Sequence, residues 1–258
     1  MERIQDRKPS GLNANALRAW GMAFLALGVV GRTILQNRLL CLDQMSPMEL
    51  VEAMQTSGTV MIMATAALVL QALETCAVPI FAFLLAEGGQ RTSNLTKYIL
   101  RVGILALATE IPYNLALSGK LLDLGSRNPV FGCLLGLVMV WFYRRYDGKA
   151  FSQRAIRVLV TLAAMLWCVM LSVNYGPALL LVLAALWALR EKPMLRSMGG
   201  AVAALVCSVF SLFYMASPMG FLAVHFYNGE KGPDNRTVSY LAYPVLLLAV
   251  WALGVVFF

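Results

Sequence analysis

Two side chains in this sequence could act as a general base: Glu110 and His225, the only histidine. A base with a pKa near neutrality takes the proton from an amine or hydroxyl that attacks a carbonyl group, and histidine is the usual choice. Glu110 lies inside an apolar stretch, where a carboxylate is costly and therefore indicates function. His225 lies in a polar turn, so it is either a base or an ordinary residue at a helix end.

Glu110 has two interpretations. Pro112 bends the helix around it and frees a carbonyl group, which favours a buried polar site that opens at one membrane face. Alternatively, Glu110 forms an ion pair with Arg32 or Arg127. Glu74 is a second carboxylate inside an apolar stretch, and the sequence offers no partner for it at helical spacing.

A cationic segment separates two apolar stretches. Arg91, Lys97 and Arg101 carry its positive charge, and Ser93 or Asn94 can cap the helix that follows. The free N–H groups at such a helix start suit an anion, so the segment fits a phosphate-bearing ligand. The same charges also fit an ordinary cytoplasmic loop.

Asn and Tyr residues recur at the turns that we expect on the opposite membrane face. This clustering exceeds what the turns alone require. Its members are Asn114, Asn128, Tyr175, Tyr227 and Asn228.

The elements that carry these residues are predicted to be membrane helices. The chain has 258 residues, of which 60% are hydrophobic and 13% charged, against about 25% charged in a soluble domain. Long apolar runs without strict alternation favour helices over a barrel. The sequence predicts one all-α integral membrane domain, residues 1–258, embedded in a lipid bilayer. The eight predicted spans are 16–36, 58–86, 95–117, 129–143, 155–173, 177–189, 195–214 and 238–258. The second span is long and is predicted to be tilted or bent at Pro79.

Charge predicts how these spans are oriented. With the N-terminus inside, most of the 21 Lys and Arg residues fall in cytoplasmic segments, including Arg3, Arg7 and Lys8. This predicts that both termini are cytoplasmic and that the segment 225–232, "HFYNGEKG", lies outside. The net charge of +8 then reflects cytoplasmic loops and not nucleic-acid binding. The five cysteines show no metal-ligand spacing, so no metal site is predicted.

Several stretches resemble the TraX family of membrane proteins. The most specific is "VPIFAFLLAEGGQRTSNLTKYILR" at 78–101, followed by "YNGEKG" at 227–232 with "YLAYP" at 240–244. Further matching stretches are "LRAWGMAFLALGVVGR", "ALATEIPYNLAL", "NPVFGCLLGL" and "NYG".

The resemblance implies a multi-pass protein of the bacterial inner membrane with acyltransferase activity. It implies acetyl-CoA or another acyl-CoA as co-substrate. The implied acceptor is a pilin-like amine or a small molecule; in the founding member of the family the acceptor is a pilin subunit used in conjugation. The cationic segment would bind the coenzyme through Arg91, Thr92, Lys97 and Arg101. The Asn and Tyr cluster, with Glu110, would line the acceptor side.

The sequence departs from the family pattern where histidines are expected. The pattern implies an Asp-His pair at the positions of Gly28 and Val29, and a histidine at Leu246. Losing a general base lowers the rate of such a reaction by a factor of roughly 100 to 10,000. Whether this protein catalyses acyl transfer is therefore an open question at this point. The alternatives are a catalytically inactive protein of the same fold and a small secondary transporter. The absence of evident matched broken helices argues against a transporter.

Overall fold

The computed structural model describes residues 11–42, 45–233 and 236–257, and these residues form helices without β-strands. The basic residues Arg3, Arg7 and Lys8 lie outside the described residues. The helices are α1 (Ala14–Val30), α2 (Pro47–Thr56), α3 (Gly58–Glu74), α4 (Ala77–Arg91), α5 (Leu95–Ser118), α6 (Val130–Arg145), α7 (Phe151–Met170), α8 (Gly176–Ala188), α9 (Pro193–Val206), α10 (Gly220–His225) and α11 (Arg236–Phe257). A π-helical segment, Gly31–Leu39, continues α1.

The helical composition confirms the predicted membrane class. Among the residues that the structure describes, five stretches are long and apolar enough to cross a bilayer, fewer than the eight predicted. They are Ala14–Leu39, Gly58–Arg91, Leu95–Ser118, Phe151–Met170 and Tyr240–Phe257. Two predicted spans, α6 and α8, have 16 and 13 residues. At 1.5 Å per residue they reach only about 24 and 20 Å, short of a hydrocarbon core about 30 Å thick.

Contacts at the two ends of the bundle fix the direction of each helix. At the proximal end, the Leu12 N–H donates to the Phe226 carbonyl (2.7 Å) and the Arg91 guanidinium to the Gly229 carbonyl (2.6 Å). At the distal end, the Asn37 amide donates to the carbonyl of Leu117 (2.7 Å). We call these the proximal end and the distal end below.

The segment 225–232 therefore does not lie where the charge pattern predicted. It contacts residues 11–14 and Arg91 at the proximal end, whereas the prediction placed it on the face opposite Arg91. The prediction was wrong because it counted the stretch 195–214 as a complete crossing.

This stretch enters the bundle and turns back. After α9, residues 207–219 form short 3₁₀ turns, and α10 returns to the proximal end. At the turning point, the Ser217 hydroxyl donates to the Thr75 carbonyl (3.0 Å), and the Cys76 thiol donates to the Ala216 carbonyl (3.2 Å). Thr75 and Cys76 lie in the middle of the long α3–α4 stretch, so the hairpin reaches only to mid-bundle.

The last helix consequently runs in the opposite direction to the predicted one. It begins at the proximal end, where the Asn15 amide contacts the carbonyl of Pro233. It ends at the distal end, where a Cβ at Gly254 would lie 3.7 Å from Arg38 Cγ. The described chain ends, residues 11 and 257, are thus at opposite ends of the bundle, and the prediction that both termini share one side was wrong.

The long α3–α4 stretch breaks at Thr75–Cys76, just before Pro79. Proline has no N–H, so the Thr75 carbonyl loses its partner four residues on. It accepts hydrogen bonds from the Val78 N–H (3.1 Å) and the Ser217 hydroxyl (3.0 Å) instead. The prediction of a bend caused by Pro79 is confirmed, with the break displaced toward Glu74.

The two short helices α6 and α8 both begin inside the bundle. Their entry segments pair directly, since the Arg127 N–H donates to the Ser172 carbonyl (2.9 Å) and the Asn174 N–H to the Arg127 carbonyl (3.0 Å). A Cβ at Gly132 would lie 3.1 Å from the Gly176 Cα, so glycine allows the two helices to pack closely. These half-length helices leave a polar recess open toward the distal end.

Candidate functional site

The polar recess contains a cavity of about 240 Å³, which we call the distal cavity. Three segments meet around it: the π-helical segment, α5 and the loop before α6. Its lining residues are Arg32, Gln36, Asn37, Tyr113, Asn114, Leu117, Ser118, Asp123 and Ser126. Nearly all of them are polar, in a part of the bundle that is otherwise apolar.

The π-helical segment supplies one wall of the distal cavity. Nine residues with the wider π geometry follow α1 directly, in a sequence that becomes polar at Arg32. π-helical turns are rare and are frequently found at functional sites. The Thr33 hydroxyl donates to the carbonyl of Ala116 (2.9 Å), and the Asn37 amide to that of Leu117 (2.7 Å), which fixes this segment against α5.

Arg32 forms an ion pair with Glu74 at the floor of the distal cavity. The guanidinium nitrogen lies 2.5 Å from Glu74 Oε1, and the Glu74 side chain is 1% exposed. Arg32 is also 5.8 Å from the centre of the Tyr175 ring, a cation–π contact. Helical spacing predicted no partner for Glu74, and the structure supplies one from another helical segment.

Gly28 leaves the space for the Glu74 carboxylate. A Cβ at Gly28 would lie 1.9 Å from Glu74 Oε2 and 2.4 Å from its Cβ, so no larger residue fits without displacing the glutamate. Gly28 is also a position where the family resemblance implies an aspartate. The carboxylate at this place therefore comes from α3 in this chain.

Glu110 takes part in a separate, fully paired cluster. Arg127 donates to Glu110 Oε1 (2.8 Å), and the Asn128 side-chain amide to Glu110 Oε2 (2.6 Å). The Asn128 amide also donates to the carbonyl of Ala106 (2.9 Å), and its Oδ1 accepts from the N–H of Val130 (3.0 Å). The ion-pair interpretation of Glu110 is thus confirmed with Arg127 as its partner, and the cluster anchors the start of α6.

Tyr113 connects this cluster with the loop before α8. Its hydroxyl lies 3.2 Å from the Ser126 hydroxyl and accepts from the Asn174 amide (3.0 Å). Asn114, the next residue, lines the distal cavity and is 1% exposed. Of the predicted acceptor side, Asn128 thus contacts Glu110 directly, whereas Asn114 lines the distal cavity and Tyr175 lies beside Arg32.

The remaining predicted residues of the acceptor side lie elsewhere. Tyr227 packs edge-on against Phe83 at 5.3 Å between ring centres, and the Asn228 N–H donates to the carbonyl of Leu12 (2.9 Å). Both are at the proximal end. His225 is exposed there at the end of α10, beside Phe226. His225 and Glu110 do not form one site, because the hairpin of α9 and α10 carries the histidine back to the proximal end.

A second cavity, of about 470 Å³, lies at the proximal end, and we call it the proximal cavity. It forms where the start of α5 meets the end of α6. Its lining residues are Ser93, Asn94, Leu95, Thr96, Trp141, Arg144 and Arg145. The Asn94 side chain accepts from the Lys97 N–H (2.9 Å), which confirms the predicted cap.

The predicted coenzyme residues lie around the proximal cavity without lining it. Arg91 pairs with Glu87 (3.0 Å) and with the carbonyl of Gly229. The Thr92 carbonyl accepts from Arg144 (3.2 Å). Lys97 and Arg101 extend from the exposed side of α5. The cations in the cavity are Arg144 and Arg145, which the sequence interpretation had treated only as markers of a cytoplasmic loop.

A comparison with known protein families identifies the family of this chain. The family model described as TraX protein matches residues 42–254, most of the chain. The chain belongs to the TraX family. No curated protein and no solved structure matches it. The TraX match begins after α1, so Arg32 and Gly28 lie outside the matched residues, whereas Glu74, Glu110, Asn114 and both arginines of the proximal cavity lie within.

Arg32 and Glu74 are the functional candidates that sequence reasoning did not assign. Each was visible as a charged residue within an apolar stretch, which is the expected signal of a membrane site. Their pairing was not visible, because the two residues are 42 positions apart and helical spacing cannot connect them.

Proposed function

We propose that this TraX-family protein is a membrane acyltransferase that binds acyl-CoA in the proximal cavity and an acceptor in the distal cavity. The reaction would break the thioester C–S bond and form a bond from the acyl carbon to an acceptor nitrogen or oxygen. The acceptor proton would pass to a base, and the coenzyme would leave as a thiol. The acceptor is a pilin-like amine or a small molecule.

The observation that carries this proposal is the composition of the proximal cavity. It combines the first N–H groups of a 24-residue helix with two arginines. Helix N-termini and arginine side chains are the standard ligands of phosphate groups. The phosphates of a coenzyme A molecule fit a cavity of this charge. Arg145 is exposed at its edge, with no hydrogen bond or ion pair among the described residues.

The distribution of charge supports a cytoplasmic proximal end. Among the described residues, the distal end carries the cations Arg38, Lys120 and Arg127, besides the buried Arg32. The other Lys and Arg side chains in the described part of the chain lie in the proximal half. By the positive-inside rule, this distribution supports our proposal that the proximal cavity faces the cytoplasm at a bacterial inner membrane, where acyl-CoA is available.

The proposed acyl transfer must take place across the distance that separates the two cavities. Within the described residues they share no lining residue. Thr96 and Tyr113 on α5 are 17 residues apart, or about 25 Å along the helix. Buried Val102 and Ala106 of α5 pack between them. Acyl transfer from one cavity to the other would need a path through this core. A catalytically inactive protein of the same fold would need no such path.

A secondary transporter is a second candidate, because the structure does contain broken helices. α6 and α8 begin inside the bundle, and α3 and α4 are separated at mid-bundle beside the turn of the α9–α10 hairpin. Transporters build their substrate sites from such discontinuous helices near the middle of the membrane. The sequence-based argument from the absence of broken helices was wrong.

Calorimetry with acetyl-CoA tests the coenzyme site directly. We expect purified protein in nanodiscs to bind acetyl-CoA, and Arg145→Ala to weaken binding about tenfold, since it removes one charge-assisted contact. Arg101→Ala is the matched control, because it removes an equal charge from the exposed side of α5. Equal weakening by both variants, or no binding by the native chain, would contradict the coenzyme site.

Release of coenzyme thiol from bound acetyl-CoA then tests transfer. We expect slow release in the native chain, with water as default acceptor. Binding without release at any pH would support the inactive alternative. Concentrative uptake of a solute into proteoliposomes, with no coenzyme binding, would support the transporter.

A further inference from the structure

Two buried nitrogen atoms, in side chains that line the distal cavity, have no hydrogen-bond partner. They are Nε of Arg32 and Nδ2 of Asn114. Native proteins leave few buried polar groups unpaired, because such a group has given up its hydrogen bonds to water. Two such donors beside one cavity indicate that something other than the protein completes their hydrogen bonding.

The position of each atom shows what is missing. Arg32 and Asn114 both line the distal cavity, and neighbouring atoms cover their two unpaired N–H donors. Glu74 does not line the cavity, and its Oε2 lies toward Gly28. A molecule in the cavity would therefore meet the two donors after a small rotation of the side chains.

The charges around the cavity favour a neutral molecule over an anion. The positive charge of Arg32 is already balanced by Glu74 at 2.5 Å. Asp123 lies at the rim, where the N–H of Gly125 donates to its carboxylate and lowers its pKa, so this residue remains negative at neutral pH. Lys120 lies close enough to Asp123 to help lower this pKa, so the charges at the cavity are balanced in pairs. An anion would therefore find no uncompensated cation, whereas a neutral oxygen acceptor needs only the unpaired donors.

We propose that the distal cavity binds a small neutral molecule through a carbonyl oxygen that accepts from Nδ2 of Asn114 and Nε of Arg32. The cavity volume of about 240 Å³ is just below the usual range of ligand pockets, about 300–1,000 Å³, so the bound group is small. The proposal rests on the proposed function only in treating the distal cavity as the acceptor-side site. Carbonyl binding itself requires no acyl-CoA.

Ligand-observed fluorine NMR with two probes of nearly equal shape tests this proposal. Trifluoroacetamide is neutral, and trifluoroacetate is its anionic counterpart. With the native chain in nanodiscs and no acyl-CoA, we expect trifluoroacetamide to bind about tenfold more tightly than trifluoroacetate, the effect of roughly one hydrogen bond. Empty nanodiscs correct for partition of the probes into lipid.

Two substitutions in α5 locate the probe. Asn114→Leu keeps the side-chain volume close to that of asparagine but removes the donor, and we expect about tenfold weaker binding of trifluoroacetamide. Thr109→Val is the matched control, because Thr109 does not line the cavity and its hydroxyl donates within α5 to the Leu105 carbonyl (2.7 Å). We expect this control to leave trifluoroacetamide binding unchanged.

Equal trifluoroacetamide binding by the native chain and Asn114→Leu would overturn the proposal. Tighter binding of trifluoroacetate to the native chain would also overturn it, and this comparison holds even if Asn114→Leu does not fold. Selective trifluoroacetamide binding in a protein that binds no acetyl-CoA would refute acyl transfer and leave the carbonyl site standing.

Discussion

The proximal and distal cavities present charge in opposite ways. The proximal cavity is formed by the start of α5 and the end of α6, and its arginines are exposed to solvent. The distal cavity is about half as large, and its arginine is held by a buried glutamate inside the helices. A site with exposed cations attracts an anion, and substitutions there disturb the fold little. A site with a buried ion pair orients a small ligand, and its geometry depends on the packing of the helices.

The largest predicted effect is the loss of the buried ion pair. Glu74→Ala leaves Arg32 without its counter-ion, and we expect stability to fall by about 3–5 kcal/mol, measured by reversible unfolding in mixed micelles. The double variant Arg32→Met, Glu74→Leu removes both charges and should recover most of this loss. Equal destabilisation by the single and double variants would show that packing, and not charge, dominates the distal site.

The next effect tests the fit between Gly28 and Glu74. Gly28→Ala places a Cβ 1.9 Å from Glu74 Oε2, and we expect destabilisation of about 1–3 kcal/mol in the same assay. Gly103→Ala is the control, because the nearest atom to its Cβ would be 3.7 Å away and alanine is the better helix former. If Gly28→Ala left the stability unchanged, the Glu74 carboxylate would have room to move.

Salt separates the two cavities by their electrostatics. Raising ionic strength from about 0.1 to 1 M shortens the screening length from about 10 to 3 Å. We expect acetyl-CoA binding in the proximal cavity to weaken about tenfold by calorimetry, and trifluoroacetamide binding in the distal cavity to change less than about twofold. If both ligands responded equally, the contrast between an anion site and a neutral site would be lost.

The smallest predicted effect concerns pH and the lone histidine. Because the pKa of Asp123 is lowered, its charge persists above its ordinary value of 3.8 and disappears only as pH falls through the lowered pKa. The preference for trifluoroacetamide over trifluoroacetate should then stay constant from about pH 5 to 8. His225→Ala should not alter it, since this residue is exposed at the proximal end. The opposite result would be a preference for trifluoroacetamide that changes near pH 6.5 in the native chain and becomes independent of pH in His225→Ala. That result would place the histidine in the site.

Several features followed from the sequence alone. Long apolar stretches determined the helical membrane class, because a backbone in lipid must pair its own polar groups. The cap at Asn94, the bend caused by Pro79 and the turn at Tyr175 followed from local chemistry. The stretches at 78–101 and 227–232 predicted the family that the family model confirms.

Only the tertiary structure decided which of the polar residues meet. Hydropathy measures whether a stretch prefers lipid, and it cannot distinguish a crossing helix from the α9–α10 hairpin, which turns back at Ser217. That one reversal moved His225 to the proximal end and the described end of α11 to the distal end. Likewise, the pairing of Arg32 with Glu74 depends on packing between α1 and α3, because side chains 42 residues apart come together only when the helices do.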